Sequence, residues 1–236
     1  MVLLTRTRRS VLDKSAVFSI IPTAVALLAA VYLGGQVKKP DRFAGRMLAG
    51  LMNGSHALLT DWALTHIEIA ADAIALDVGC GGGRTLSRLA AMAPDGTVYG
   101  IDYAKGSVAQ SRAHNRKLVK AGKVVVENAS VSQLPFEDGK FDVATAVETQ
   151  YYWPSVENDM REILRVLKPG GRLMIVAESY KGAQNDWLLG PVMKLLGSSR
   201  LSVHDQRALF LAAGFREVEV FEERKHGWLC AIGKKP

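Results

Sequence analysis

"IALDVGCGGGRTLSRLA" (residues 74–90) runs from apolar residues through a glycine cluster straight into a helix-like pattern. Gly79, Gly81 and Gly83 stand at alternate positions where the apolar run ends. A short apolar run bounded by glycines reads as a buried strand, and a glycine turn leading into a helix marks a place where backbone approaches something closely. Amides at a helix N-terminus are also ready donors for anionic groups.

Outward from this turn the chain alternates strand and helix signals, the pattern of a parallel sheet covered by helices on both faces. Strands are predicted at Ala73–Val78, Thr97–Ile101, "KVVVENA" (123–129), Phe141–Glu148, "RLMIVAE" (172–178), "EVEVFEE" (217–223) and "GWLCAIG" (227–233). The last two read as a hairpin-like pair. Helices are predicted over Arg84–Met92, Ser107–Ala121, Val156–Leu167, stopping at "KPGG" (168–171), and Asp205–Ala213. The expected fold is α/β: a Rossmann-like, seven-stranded, mostly parallel sheet, preceded by an N-terminal hydrophobic helix.

In an open parallel sheet the ligand crevice lies beyond the C-terminal strand ends, with the first strand-to-helix turn as its floor. A dinucleotide fingerprint needs G-x-G-x-x-G, and counting from Gly79 and Gly81 puts Arg84 at the third glycine position. The pattern that fits is acidic-x-G-x-G-x-G, with Asp77 as the acidic residue. Together with "VYGIDYA" (98–104), "ASVSQLPFEDGKFDVATA" (129–146) and "EILRVLKPGGRLMIV" (162–176), in that order, the chain resembles the class I S-adenosylmethionine-dependent methyltransferases, in their small-molecule branch.

The resemblance implies S-adenosylmethionine as cofactor and runs from about Ala71 to the end. It implies that Asp77, Gly79, Cys80, Gly81 and Gly83 shape the pocket for the methionine half. Asp102 would take both ribose hydroxyls, and Tyr103 would lie against the adenine. Ser130 stands where many relatives carry an Asp for the adenine amino group; it accepts only a neutral bond, while Val131 offers its backbone amide. Glu148, ending the fourth strand, falls beneath the expected sulfonium, with a solvated cap as its bland reading.

Substrate contacts are expected in "ETQYYWPSVEND" (148–159), where Tyr151, Tyr152 and Trp153 form an aromatic cluster suited to a sulfonium or an apolar substrate, or else to core packing. Glu148, His56 and Tyr151 are the candidate catalytic groups. His66 is a further candidate base, although a lone histidine on an amphipathic helix is more often structural. His204 and Asp205 read as a helix cap rather than a catalytic pair. Upstream, 41–70 reads as a helical cover over the cleft, with Asn53 and Ser55 as caps near its start. No cluster has metal-ligand spacing.

Charge argues against nucleic acid. Residues 1–50 hold eight of the 30 Lys/Arg against two acids, which leaves 22 basic and 21 acidic residues for the rest. "VETQYYW" (147–153) also lacks the Asp/Asn/Ser-Pro-Pro-aromatic motif of nucleic-acid amino methyltransferases. At 236 residues the chain can bury one sizeable core, so 71–236 is expected as a single domain. Two cysteines give no disulfide framework, which points to a reducing, cytoplasmic setting.

In the N-terminal segment 1–40, residues 15–37 ("SAVFSIIPTAVALLAAVYLGGQV") carry no charge and are long enough for a bilayer span. A membrane anchor, a helix packed on the domain and a cleaved signal all remain open readings. The leading function is methyl transfer to a small, lipophilic acceptor. A non-catalytic S-adenosylmethionine-binding regulator and a protein or RNA methyltransferase are the alternatives. Acceptor atom and oligomeric state are not legible.

Overall fold

The apolar runs become seven strands of one sheet: β1 (Ile74–Val78), β2 (Thr97–Asp102), β3 (Val124–Asn128), β4 (Phe141–Val147), β5 (Leu167–Ala177), β6 (Arg216–Glu223) and β7 (Trp228–Lys234). The structure is a computed structural model describing residues 57–178, 180–183 and 200–236. The expectations for residues 15–37, Asn53, Ser55 and His56 lie outside these residues. Among the described residues no helix is long and apolar enough to cross a membrane.

The strand order is β3-β2-β1-β4-β5-β7-β6. The first five strands run parallel, and β7 inserts antiparallel between β5 and β6. Successive side chains of a strand face opposite ways, and each face gathers its own core. Leu173 and Ile175 of β5 join one cluster, with Met160 and Ile163 of α5 (Val156–Val166) and Phe210 of α6 (Val203–Ala212). Met174 and Val176 join the other, with Leu59 of α1 (Ala57–Leu64), Leu86 and Leu89 of α2 (Arg84–Met92) and Val108 of α3 (Lys105–His114).

Two elements differ from the sequence expectation. The single helix expected over 107–121 is broken at Asn115 into α3 and a short α4 (Arg116–Lys120). The Asn115 side chain is buried and bonds backbone carbonyls instead of leaving the helix undisturbed. β5 begins at Leu167, five residues before the expected start. "KPGG" is a bulge inside the strand, because the register jumps from Phe141↔Leu167 to Val143↔Arg172. Asp142 fastens that corner, accepting from Ile74 N (2.8 Å) and Lys168 Nζ (2.8 and 2.9 Å).

Helix α1 packs on β5 and β7, and Arg88 Nη2 reaches Asp61 Oδ2 at 2.8 Å to tie α2 to it.

Candidate active site

The connections from β1 and β4 leave in opposite directions, to β2 and to β5, so a crevice opens between the C-terminal ends of β1 and β4. The glycine turn follows β1; Glu148 to Gln150 follow β4.

Gly79, Gly81 and Gly83 all have positive φ, +74°, +48° and +83°. A Cβ on Gly79 would lie 2.3 Å from Thr149 Oγ1, and one on Gly83 would lie 2.5 Å from Ser111 Oγ and 2.6 Å from Asn115 Nδ2. Left-handed backbone favours glycine at all three positions, and the absence of space demands it at Gly79 and Gly83. The turn is held by donors to β2: Gly79 N and Cys80 N reach Ile101 O at 2.8 and 2.9 Å. Gly81 N donates to Asp102 Oδ2 at 3.0 Å. Behind the turn, Asn115 Nδ2 donates to Gly83 O (2.8 Å) and Ser111 O (3.0 Å), while its Oδ1 accepts from Ser87 Oγ (2.9 Å).

The other Asp102 oxygen accepts from Ala104 N at 2.9 Å, so this buried carboxylate is oriented by an amide from each loop flanking it. Asp77 lies 2% exposed at the strand end, where parallel register sets it beside Thr145, and Thr145 Oγ1 donates to it at 2.7 Å. Burial raises the Asp77 carboxyl to about 7, the Thr145 bond opposing this and the Asp102 charge adding to it. Tyr103, next to Asp102, is half exposed. The Cys80 thiol turns into the core, 3.7 Å from Ser111 Oγ, and burial pushes it well up. Ser130 is exposed and its hydroxyl accepts from Ser132 N at 3.2 Å, whereas Val131 is buried. The segment from 134 to 138 is clamped from α5: Glu162 accepts from Leu134 N, and Arg165 donates to Leu134 O, Phe136 O and Asp138.

On the β4 side, Glu148 adopts φ +58°. Its Oε1 accepts from Tyr151 Oη (3.2 Å) and from Glu178 N, and its own amide donates to Val176 O (3.0 Å). Glu148 therefore ties the ends of β4 and β5 together. Tyr151 and Trp153 are members of the core cluster, and Trp153 Nε1 donates to Thr149 Oγ1 at 3.2 Å. Tyr152 stays half-buried, its hydroxyl raised by burial and by Glu148. Of the three aromatics, two pack as core and one faces outward in part.

The remaining histidines stand elsewhere. His66 stacks on Phe221 (4.2 Å between centroids) and meets Trp62 edge-on, a packing role at the β6 edge of the sheet. His204 is exposed, and Asp205 forms a capping box with Ser202, so the acid caps and the histidine does not. Among the described residues no three His, Cys, Asp or Glu side chains gather to hold a metal ion. Sequence reasoning missed Thr145, Thr149 and Asn115. Only Asn115 left a signal, an asparagine within a run of helix formers.

This geometry meets known proteins at several points. The family model described as "Methyltransferase domain" matches residues 76–175. An O-methyltransferase of Aspergillus nomiae is 31% identical over 159 residues, 66% of this chain and 70% of that protein. A sterol 4-C-methyltransferase of Caenorhabditis elegans is 30% identical over 145 residues, 61% of this chain and 42% of that protein. The chain spans about half the length of several of the curated relatives it matches. A SAM-dependent methyltransferase from Aquifex aeolicus superposes with a TM-score of 0.68 at 21% identity, covering 81% of this chain and 98% of that one, which shows a shared fold. The sheet order, the glycine turn on Asp102 and the match along most of a relative's length lead to one conclusion: the chain belongs to the class I S-adenosylmethionine-dependent methyltransferases.

Proposed function

We propose that this chain transfers the methyl group of S-adenosylmethionine to a small, lipophilic acceptor. The observation that carries the reading is the glycine turn, locked between Asp102 and Thr149 at the mouth of the crevice. Its backbone has no side chain in the way of a close-lying ligand, and its residues fit the cofactor's methionine half. Gly79, Gly81 and Gly83, with the Cys80 backbone, would line that half, and Asp77 would face the amine. Asp102 would hold the ribose hydroxyls, Tyr103 the adenine face, and Val131 and Ser130 the adenine edge.

The cofactor, when bound, supplies a methyl group on an already activated sulfonium. What the protein adds is alignment and exclusion of water. Glu148 is a group able to take a proton from an acceptor that arrives protonated, and Tyr151, whose hydroxyl donates to Glu148 Oε1, would hold that carboxylate in place. His56 stays a candidate for the same role. Tyr152 and Trp153 would border the acceptor, with Trp153 acting through its bond to Thr149.

A small apolar acceptor is favoured by the near-neutral charge of residues 51–236 and by the sterol named for one relative. The uncharged run 15–37 would bring the enzyme to a membrane where such acceptors dissolve. Carbonate-washed membranes should then retain the full chain and release a variant starting at Lys38. The activity test supplies methyl-labelled S-adenosylmethionine and a cell extract. Label in the organic phase supports the reading; label confined to protein or RNA refutes it.

A further inference from the structure

Between Tyr103 and Val126 every charged residue is basic: Lys105, Arg112, Arg116, Lys117, Lys120 and Lys123. That leaves 16 basic and 21 acidic residues in the rest of 51–236, so the near-neutral total hides a polarised domain. The basic segment forms α3, α4 and the start of β3, the strand at one edge of the sheet. At the opposite edge stands β6, with four glutamates against one arginine.

Val108, Ser111 and Asn115 are buried beneath these helices, and Leu118 and Val119 pack on the core in part. The outer side carries Lys105, Arg116, Lys117 and Lys120, all exposed, and among the described residues none of the four meets a carboxylate. Arg112 and Lys123 turn to backbone carbonyls instead. Arg116 and Lys120 stand four apart on α4, a like-charge spacing that disfavours a helix. A face that only meets water mixes both signs, whereas this one lacks anions altogether.

Nucleic acid would carry its phosphates past this face and along the acidic remainder of the domain, which repels them. A lipid surface meets only the face turned toward it, and the same chain carries the uncharged run 15–37. An apolar contact joined to a polybasic patch is the combination that attaches proteins stably to anionic bilayers. We propose that the outer face of α3 and α4, centred on Arg116, Lys117 and Lys120, docks on an anionic lipid surface. The inference rests on the membrane reading of 15–37 for its choice of partner, and it adds a second contact that fixes how the domain lies on the bilayer.

The test labels the full chain with an environment-sensitive fluorophore at Ala113→Cys, an exposed position beside Arg112; Cys80 and Cys230 are buried away from the reagent. Glu219→Cys, exposed on β6, is the control at the far edge. The label reads the face itself, apart from the basic residues of 1–50. Vesicles of phosphatidylcholine alone, or with about 30% phosphatidylglycerol, are the probes. The signal at 113 should shift to the blue on the anionic vesicles only and fade in high salt, while the signal at 219 stays unchanged. Changing Arg116, Lys117 and Lys120 together to Gln should raise the anionic lipid needed for half the response about tenfold or more. That variant should bind S-adenosylhomocysteine as wild type does, which checks its fold. Equal shifts at 113 and 219, no shift at 113 on vesicles with which the chain sediments, or an unchanged response in the triple variant overturns the inference. A shift at 113 with single-stranded RNA but not with vesicles makes the partner a nucleic acid and overturns it too. Failure of the chain to sediment with neutral vesicles, with the response at 113 intact, overturns the reading of 15–37 instead and leaves the basic face standing.

Discussion

Gly79→Ala should destabilise the protein through two separable effects. Alanine at φ +74° costs about 1–2 kcal/mol, the penalty of a Cβ in the left-handed region. The new Cβ would also sit 2.3 Å from Thr149 Oγ1, 2.8 Å from its Cβ and 3.2 Å from its Cγ2. Forcing such an overlap apart costs about 1–3 kcal/mol. Because Thr149 Oγ1 accepts from Trp153 Nε1, the threonine cannot swing away without loosening that bond as well. The sum is about 2–5 kcal/mol, a large part of a typical domain's stability. Thr149→Ala removes two of the three crowding atoms but leaves the backbone strain. In a double-mutant cycle followed by urea unfolding, the pair should therefore couple by about 1–2 kcal/mol, Thr149→Ala partly rescuing Gly79→Ala. Additivity within about 0.5 kcal/mol would show that the two residues do not press on each other, and the account of the turn would fail.

Asp77 gives a pH prediction. A carboxyl raised from 3.8 to about 7 adds stability that is full below pH 3.8 and is lost as pH rises through about 7. An ammonium group beside it favours the carboxylate, so cofactor affinity should rise through pH 7 with release of a proton, and Asp77→Asn should flatten the profile. Calorimetry in phosphate and Tris counts the proton; an affinity constant from pH 6 to 8 in wild type contradicts the assignment. Asn115→Ala should cost about 1–3 kcal/mol by urea unfolding, since Gly83 O and Ser87 Oγ lose a buried partner. A cost below about 0.5 kcal/mol would mean the asparagine does not hold the turn.

Strands β1, β4 and β5 were legible because burial on both faces leaves near-continuous apolar runs in the sequence. The glycine turn was legible because three alternate glycines beside a strand have few other uses. What stayed hidden depends on contacts between distant residues. The break at Asn115 arises because its amide finds Gly83 O, 32 residues away, and no local pattern encodes that bond. "KPGG" stops a helix by its local chemistry, yet pairing with β4 draws it into the strand as a bulge. Tyr151 and Trp153 read as an aromatic pocket, with core packing as the alternative, and packing against the sheet makes them members of the core cluster. Glu148 adopts a left-handed backbone that a glutamate rarely takes, held there by bonds to β5 and Tyr151.

Calorimetric titration of S-adenosylhomocysteine into wild type and Asp102→Asn tests most directly whether the crevice at the C-terminal ends of β1 and β4 holds S-adenosylmethionine with Asp102 of β2 on its ribose. The account predicts one molecule bound per wild-type chain and binding weakened by about 1.5–3 kcal/mol in the variant, the worth of hydrogen bonds to a charged group. No binding by wild type, or equal affinity in the two proteins, would contradict it.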